Sequence, residues 1–250
     1  MLKNKVALIT GGGQGVGQGI ALALAKEGAH IVVTGRTLEK CETTAKMLRD
    51  HGVKALALRC DVKSGSDLEE IMDKTIAEFG RLDILVNNAQ EVARGPLLSI
   101  TDEQMNGNWD SGPLATFRLM KLAYPHLKES KGNVINLCSS VMKRWDVGTY
   151  GVYAAVKAAI QQLTRAAANE WGKDGICVNA IMPHAKSPAL AGWMERNPVE
   201  AEHFQKSIPL GYVGDCEDDI GAFVAMMCSE NARYLSGQTI ALDGGQVFIG

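Results

Sequence analysis

Tyr153 and Lys157 lie four residues apart in a run of alanine and valine. On a helix this spacing places both side chains on one face. A free phenol, with a pKa near ~10, exchanges protons poorly at neutral pH, but an ammonium group held beside it favours the phenolate. Lowering that pKa by about three units requires roughly 4 kcal/mol, which is within reach of a buried cation and a second positive charge. The pair therefore predicts acid/base chemistry carried by Tyr153.

A hydroxyl group that orients and polarises a substrate oxygen would complete such a site. Ser140 is the candidate, because it lies 13 residues before Tyr153 and just after the apolar run that ends at Leu137. A tyrosine and a lysine at helical spacing are usually an ordinary surface pair. The prediction of a catalytic site therefore depends on the rest of the sequence.

A glycine-rich segment follows the first apolar run, and residues 11–19 hold six of the 27 glycines in the chain. Glycine at a strand-to-helix turn permits positive φ and lets the backbone approach a diphosphate, while the next helix offers free N–H groups. The apolar strand before the segment and the alanine-rich helix after it favour a dinucleotide-binding loop over a merely flexible one. The predicted contacts are Gly11, Gly13, Gln14, Gly15, Val16 and Gly17.

The residues after the second apolar run indicate which dinucleotide binds. An acid there accepts from the ribose 2′-hydroxyl of NAD, whereas the 2′-phosphate of NADP calls for a cation. The chain has Arg36 and Thr37 at this place and no acid. We therefore predict NADP(H), although Gln14 provides no second basic contact. A solvated surface arginine is the alternative.

Short apolar runs rich in β-branched residues alternate with helix-compatible segments along the whole chain. The runs span residues 6–9, 31–33, 55–58, 84–86, 134–137, 177–181 and 239–242. They are too uniformly apolar for strands with one solvent-exposed face and favour parallel strands covered by helices. We predict one α/β domain over residues 1–250, a single-domain doubly wound Rossmann fold of about seven mostly parallel strands, with its ligand crevice beyond their carboxyl ends.

Two segments depart from this alternation. Glycines at residues 106–108 and 112–113 are expected to interrupt what is otherwise one long helix. Residues 184–209, which we name the lid segment, are predicted to form a substrate lid, because long insertions in compact domains are usually functional. Helix-compatible pieces lie within it at residues 189–196 and 199–206.

Composition narrows the function classes further. Twenty-six basic against 28 acidic residues leave a net charge of -2, which disfavours nucleic-acid binding. The apolar run near the start is too short for a signal peptide or a membrane span, so we expect a cytoplasmic protein. The six cysteines form no Cys-x-x-Cys pair and have no histidine at ligand spacing. We therefore predict no metal site and mostly buried, reduced thiols.

With these segments assembled, the sequence resembles the short-chain dehydrogenase/reductase family over essentially its whole length. The matching motifs are Thr10-Gly-x-x-x-Gly15-x-Gly17, Cys60-Asp61-Val62, Asn87-Asn88-Ala89, Ser139-Ser140, Tyr153-x-x-x-Lys157, Val178-Asn179-Ala180-x-x-Pro183 and Asp243-Gly244-Gly245. The resemblance implies the fold predicted above. It also implies a homotetramer, or failing that a homodimer.

The resemblance further implies roles for individual residues at the adenine end of a nicotinamide cofactor. Asp61 and Val62 would contact the adenine side, and Asn88 and Ala89 would line the ribose.

At the reacting end, Ser140 would steady the substrate carbonyl and Tyr153 would be the acid/base. Lys157 would bind the nicotinamide ribose while tuning Tyr153. Pro183 would border the cofactor.

Four positions depart from the family pattern, and they border the nicotinamide and the substrate rather than the adenine. Gln90 and His184 each stand where the family usually has a glycine. Gly112 stands where the family usually has an asparagine, and Pro188 stands where it usually has a threonine. The resemblance gives that asparagine the task of holding a water beside the lysine. Either the proton relay runs through other groups, Ser111 or Gln90, or turnover of simple carbonyls is slow.

The residues predicted to contact a substrate are mostly apolar or aromatic. They are Met142, Trp145, Tyr150 and Trp193, together with Gln90 and His184 as hydrogen-bonding groups. Ordinary packing is the alternative for each. We expect an NADP(H)-dependent oxidoreductase that transfers hydride between nicotinamide and a bulky, apolar secondary alcohol or ketone. An epimerase, dehydratase or lyase on the same scaffold is one alternative, and a cofactor-binding protein with weak catalysis is another.

Overall fold

The computed structural model describes residues 1–144 and 148–247. In this part of the chain the predicted apolar runs form seven strands. They are β1 (Val6–Thr10), β2 (His30–Gly35), β3 (Ala55–Arg59), β4 (Ile84–Asn87), β5 (Asn133–Leu137), β6 (Cys177–Pro183) and β7 (Thr239–Leu242). All six strand pairs are parallel, and the order across the sheet is β3-β2-β1-β4-β5-β6-β7. The predicted doubly wound sheet is confirmed.

Helices connect the strands. Over the described residues they are α1 (Gly15–Lys26), α2 (Leu38–Arg49), α3 (Gly65–Phe79), α4 (Asp102–Trp109), α5 (Ala115–Ser130), α6 (Gly151–Trp171), α7 (Pro188–Arg196), α8 (Pro198–Lys206) and α9 (Ala222–Met227). The two predicted helical pieces of the lid segment correspond to α7 and α8. Within the described ranges, no helix has the length and apolar character needed to cross a membrane.

The strands direct alternate side chains into two helical layers, as buried parallel strands must. Ala7 and Ile9 of β1 pack in a core with α1, α2 and α9 on one face of the sheet. Leu8 packs in a second core with α3, α5 and α6 on the other face. The strand order reverses between β1 and β4, and a crevice is expected outside the carboxyl ends at such a point. The loops after β1 and β4 therefore flank the expected site.

The break predicted at residues 106–108 is wrong, because α4 runs through it. Thr101 caps this helix by accepting from the backbone N–H of Gln104, and the Gln104 side chain accepts from the backbone N–H of Thr101. The side chain of Asn108 donates to the Gln104 carbonyl at 2.9 Å and accepts from the Ala93 N–H at 3.2 Å. These polar contacts hold a segment of low helix propensity in helical form.

The second predicted break is a change of pitch. Gly112 and Pro113 lie in a π-helical turn, Asp110–Leu114, that joins α4 to α5 without an intervening loop. A proline inside a helix removes one backbone hydrogen bond and crowds the preceding turn, and a wider turn relieves that crowding. The turn brings the buried residues Ser111 and Gly112 next to the loop that follows β4.

Candidate active site

The loop between β1 and α1 has the backbone conformation that a diphosphate cradle needs. Gly11 and Gly15 have φ angles of 66° and 59°, a region that side chains other than glycine rarely adopt. The helix α1 begins at Gly15, and Gln14 at its N-cap forms no side-chain hydrogen bond with the first turn. The N–H groups of that turn therefore have no side-chain cap, and the positive end of the helix dipole faces the loop.

Hydrogen bonds lock this loop against the loop after β4. The Thr10 hydroxyl accepts from the backbone N–H groups of Asn88 and Ala89 at 3.0 and 3.1 Å, and the Asn88 side chain donates to the Thr10 carbonyl at 2.8 Å. A Cβ atom at Gly17 would lie only 2.5 Å from the Asn88 amide nitrogen. A side chain at position 17 would therefore clash with Asn88, so the glycine allows the two loops to pack together.

A cavity of about 540 Å³ opens in front of these two loops. Of the predicted cofactor-binding residues, it is lined by Gly11, Gly13, Gln14, Gly15, Val16, Arg36, Thr37, Asp61, Val62, Asn88 and Ala89. The remaining four, Gly17, Tyr153, Lys157 and Pro183, do not line it. The cavity fits a dinucleotide, because it extends along the sheet edge and contains both a glycine cradle and a helix terminus without a side-chain cap.

Basic groups that the sequence analysis missed lie at one end of this cavity. Lys40 also lines it and donates to the Gln14 side chain at 2.7 Å. Lys63 and Arg36 both donate to the same carboxylate oxygen of Glu91, at 2.9 and 2.8 Å. Lys40 lies on α2, four residues after Arg36, and Lys63 directly follows the Asp61-Val62 motif. Their positions next to predicted cofactor contacts were the signals by which the sequence could have identified both lysines.

A chain of buried hydrogen bonds fixes α6, which carries the predicted catalytic pair, to the sheet. The Asn87 side chain of β4 donates to Asn136 of β5 at 2.8 Å, and Asn136 donates to the Thr164 hydroxyl of α6 at 2.9 Å. These side chains are buried, so breaking the chain would leave polar groups unpaired at a cost of about 1–3 kcal/mol each. The loops after β5 and β6 lie at the same sheet edge as the cavity.

At this edge the structure brings Tyr153, Lys157 and Ser139 together. A hydrogen-bonding interaction with the Ser139 side chain acts to lower the pKa of the Tyr153 phenol. The Lys157 ammonium lies 5.5 Å from the centre of the Tyr153 ring and donates to the Leu137 carbonyl.

Ser140, the predicted hydroxyl donor, begins a 3-10 turn that follows β5. It is buried there, and its carbonyl accepts from the Lys143 N–H at 2.9 Å. Ser139 is the N-cap of that turn, with its side chain at 3.5 Å from the Val141 N–H. Both serines thus lie between β5 and α6, and the role of Ser140 as the donor to the substrate oxygen stays a prediction.

Burial shifts the pKa values of both catalytic groups toward their neutral forms. It raises the pKa of Tyr153 to about 12, against the opposing effect of the hydrogen bond with Ser139. It lowers the pKa of Lys157 to about 8, with the nearby Cys138 thiol acting in the opposite direction. The cofactor-free site therefore holds a neutral phenol next to an ammonium group that titrates near physiological pH.

The pKa of Lys157 predicts how stability changes with pH. Between pH 8 and pH 10 the unfolded chain keeps the lysine proton, while the folded chain loses it. Stability then rises with pH by up to about 1.4 kcal/mol per unit. Tyr153 adds no opposing slope until the unfolded phenol ionises above its ordinary pKa of 10.0.

We expect Lys157→Met to remove this rise, because methionine fills the same buried space without titrating. The measurement is the free energy of unfolding of cofactor-free protein by denaturant over that pH window, for wild type and variant. Other titrating groups are common to both proteins and cancel in the difference. Parallel profiles would contradict a depressed lysine pKa.

Gln90 and Gly112 form a complementary pair. Both polar atoms of the Gln90 side chain are buried without a hydrogen-bond partner in the described structure. A Cβ atom at Gly112 would lie 2.8 Å from the Gln90 amide nitrogen. The Gln90 amide thus fills the space that a side chain at position 112 would need, and it lines the dinucleotide cavity beside Ser111. The Ser111 hydroxyl is already engaged, since it donates to the Gly107 carbonyl at 2.6 Å and accepts from the Glu91 N–H at 3.0 Å.

Tyr150 is the predicted substrate contact that lies nearest to Tyr153. The two rings are 6.1 Å apart, and the Arg94 guanidinium covers the Tyr150 ring at 4.5 Å. Met142 is half-buried against a small core cluster that includes Cys138. Trp145 lies outside the described residues.

His184 and Trp193 belong to the packing of the lid segment. Phe204 of α8 makes edge-on contacts with both rings, at 5.2 Å from His184 and 5.8 Å from Trp193. His184 lines a second cavity of about 560 Å³, next to β7 and separate in its lining from the dinucleotide cavity. Its buried Nδ1 has no partner in the described structure, and burial lowers its pKa.

The first turn of α7 covers the phosphate loop. A Cβ atom at Gly15 would lie 3.4 Å from Pro188 and 3.5 Å from Ser187, and both residues line the dinucleotide cavity. The Ser187 hydroxyl caps α7 by accepting from the Leu190 N–H. Pro188, expected near the nicotinamide, thus lies above the diphosphate cradle.

A dinucleotide cavity lies at the reversal point of a parallel sheet, and the same sheet edge carries a tyrosine beside a buried lysine. Together these features define a dinucleotide-dependent oxidoreductase. A family model described as Enoyl-(Acyl carrier protein) reductase matches residues 11–246. The chain belongs to the short-chain dehydrogenase/reductase family, and the resemblance noted from its motifs is confirmed.

Individual relatives cover nearly the whole chain. The 12alpha-hydroxysteroid dehydrogenase of Clostridium sp. is 43% identical over 249 residues, which is 96% of each protein. The 3-oxoacyl-[acyl-carrier-protein] reductase FabG of Staphylococcus epidermidis is 32% identical over 97% of this chain and 98% of its own. The crystal structure of an actinorhodin polyketide ketoreductase variant with NADPH superposes with a TM-score of 0.91 at 28% identity, covering 98% of this chain and 99% of that one.

Proposed function

We propose that this oxidoreductase uses NADP(H) and transfers hydride between the nicotinamide and a secondary alcohol or ketone. The observation that carries the proposal is the buried Lys157 ammonium, 5.5 Å from the centre of the Tyr153 ring, at the sheet edge where the dinucleotide cavity opens. The cofactor supplies the hydride when it is bound. The chain itself supplies the proton that must accompany it.

Tyr153, Ser140 and Lys157 each have a separate task. Tyr153 gives the proton to the carbonyl oxygen during reduction and takes it from the hydroxyl during oxidation. Ser140 holds that oxygen in place by a hydrogen bond. Lys157 keeps its positive charge near the phenol, and because one of its hydrogens goes to the Leu137 carbonyl, two remain for hydroxyl groups of the cofactor.

Three cations support NADP(H) over NAD(H). Arg36 lies where the sequence predicts the contact with the 2′-phosphate, and Lys40 lines the same cavity. Lys63 lies within hydrogen-bonding distance of the carboxylate that Arg36 also contacts. A solved relative with NADPH has the same fold. This cluster supplies the second basic contact that Gln14 does not provide.

We further propose a bulky, apolar substrate. Support comes from the aromatic residues Tyr150 and Trp193 and from the 43% identity to a protein named as a hydroxysteroid dehydrogenase. A hydroxyl or oxo group on a rigid polycyclic skeleton is the substrate class that best combines these observations. The lid segment, with α7 lying over the phosphate loop, would close on the bound cofactor and substrate.

The test is a panel of carbonyl compounds mixed with the enzyme and NADPH, with the absorbance of the reduced nicotinamide as the signal. The panel contains oxosteroids, a 3-oxoacyl thioester and a small diketone. Oxidation of NADPH with the oxosteroids supports the proposal. A product formed without net oxidation supports an epimerase, dehydratase or lyase instead, and binding without turnover supports a cofactor-binding protein. Tighter binding of NADH than of NADPH would overturn the choice of cofactor.

The homotetramer, or homodimer, remains a prediction that the family resemblance motivates. The cytoplasmic location remains a prediction that the composition motivates. Sedimentation of the purified protein measures the assembly directly.

A further inference from the structure

Glu91 places a carboxylate at the adenosine end of the cofactor cavity, the part lined by Arg36, Asp61 and Val62. One oxygen of this carboxylate accepts from the Arg36 guanidinium at 2.8 Å and from the Lys63 ammonium at 2.9 Å. The sequence has no acid directly after β2, where NAD-binding proteins carry one. In the fold, the loop after β4 supplies an acid to the same place.

The three residues come from the ends of three different strands. Arg36 follows β2, Lys63 follows β3 and Glu91 follows β4, while β1 lies between β2 and β4 in the sheet. The Glu91 carboxylate therefore joins three loops that are far apart in the chain.

The backbone and surroundings of Glu91 hold it in this position. Its backbone N–H donates to the Ser111 hydroxyl at 3.0 Å. A Cβ atom at Gly107 would lie 3.0 Å from the second carboxylate oxygen, so the glycine in α4 gives the carboxylate room that a side chain would crowd. The Glu91 side chain is 31% exposed, against 64% for Arg36 and 35% for Lys63. The hydrogen bond that Lys63 donates to Glu91 also raises the pKa of Lys63.

This arrangement has opposite consequences for the two nicotinamide cofactors. The 2′-phosphate of NADP(H), with a charge of about -2, needs the same donors that the Glu91 carboxylate occupies. It also meets a like charge at the place where it must bind. The 2′-hydroxyl of NAD(H) carries no charge and can donate to a carboxylate.

We propose that Glu91 determines the cofactor selectivity of this enzyme by acting as an internal counter-ion that competes with the 2′-phosphate. The proposal rests on the proposed function in that it takes this cavity as the NADP(H) site. Arg36 and Lys63 attract the phosphate, and Glu91 weakens that attraction while offering an acceptor to the 2′-hydroxyl. The wild-type protein thus binds NADPH only modestly better than NADH.

The test compares the dissociation constants of NADPH and NADH for wild type and Glu91→Gln, measured by titration calorimetry on the intact protein. Glutamine keeps the shape of the side chain and removes its charge. We expect NADPH to bind about tenfold more tightly to the variant, since one like charge at a partly exposed site is removed. NADH binding should stay the same or weaken. The NADPH gain should shrink as salt is added, because the effect is electrostatic.

Two further variants make the result specific. Glu129→Gln removes one negative charge from the exposed end of α5 and should leave both dissociation constants unchanged. In a protein with Arg36→Gln and Lys63→Gln, the further change Glu91→Gln should no longer tighten NADPH binding, because the competition requires the two cations. A thermal melt of each variant establishes that it is folded before it is titrated.

The outcomes separate this inference from the proposed function. If wild type binds NADPH and Glu91→Gln binds it no more tightly, the inference is overturned and the proposed cofactor stands. If wild type binds only NADH, the proposed cofactor fails, and the inference stands only if Glu91→Gln gains NADPH binding. A tenfold gain that persists without the two cations would also overturn the inference.

Discussion

Replacing Tyr153 by phenylalanine should lower kcat/KM for NADPH-linked ketone reduction by about 10³-fold, because the variant has no group to deliver the proton. The variant should still bind NADPH nearly as well as wild type. The phenylalanine ring keeps the shape that Tyr150 contacts at 6.1 Å and that the Lys157 ammonium faces at 5.5 Å. The loss is therefore expected in the chemical step rather than in folding.

The measurement is steady-state reduction of a ketone that wild type accepts, together with NADPH titration and a thermal melt of both proteins. Wild type should require Tyr153 in its neutral form for reduction, and burial keeps the pKa of this phenol high, at about 12 in the cofactor-free protein. The substituted protein should show only slow turnover over the accessible pH range. A variant that retained the wild-type rate would exclude Tyr153 as the acid/base.

The strands were predictable because burial on both faces leaves a plain signal. Each apolar run in the sequence became a strand, from β1 at residues 6–10 to β7 at residues 239–242. The continuity of α4 through residues 106–108 was not predictable from local propensity. The contact between Asn108 and the distant Ala93 backbone is a tertiary one, and it overrides the low propensity of an Asn-Gly-Asn segment.

The adenosine end of the site shows a second limit of sequence reasoning. Arg36 could be singled out because it follows a strand whose position in the motif is known. Glu91 and Lys63 act at the same place, but they come from two other segments of the chain. Only the strand order brings those segments together. The sequence shows that no acid follows β2, yet it cannot show that an acid from the loop after β4 lies beside Arg36.

The departures from the family pattern could be located from the sequence, but their relation could not. Gln90 and Gly112 are separated by more than a helix in the chain, and the motif comparison treats them as two independent changes. In the structure the Gln90 amide lies over Gly112, where a side chain would come within 2.8 Å of it. One change therefore makes room for the other. Both buried polar atoms of Gln90 remain available to a cofactor, a substrate or a water molecule.

The choice between the two adjacent serines has the second largest expected effect. The family resemblance gives the donor role to Ser140, 13 residues before Tyr153, whereas Ser139 caps the turn and acts to lower the pKa of Tyr153. We expect Ser140→Ala to lower kcat by about 10²- to 10³-fold, as the loss of one hydrogen-bond donor to a reacting oxygen does elsewhere.

Ser139→Ala is the matched control, since it makes the same change one residue earlier in the same turn. This variant should keep most of the wild-type kcat and NADPH affinity, because the Ser139 side chain caps the turn, at 3.5 Å from the Val141 N–H. Ser140→Thr, which restores a hydroxyl at the predicted position, should recover part of the rate. The two alanine variants differ only in which hydroxyl is missing, so the ratio of their rates reports the position of the donor. A large loss in Ser139→Ala with little loss in Ser140→Ala would move the assignment to Ser139.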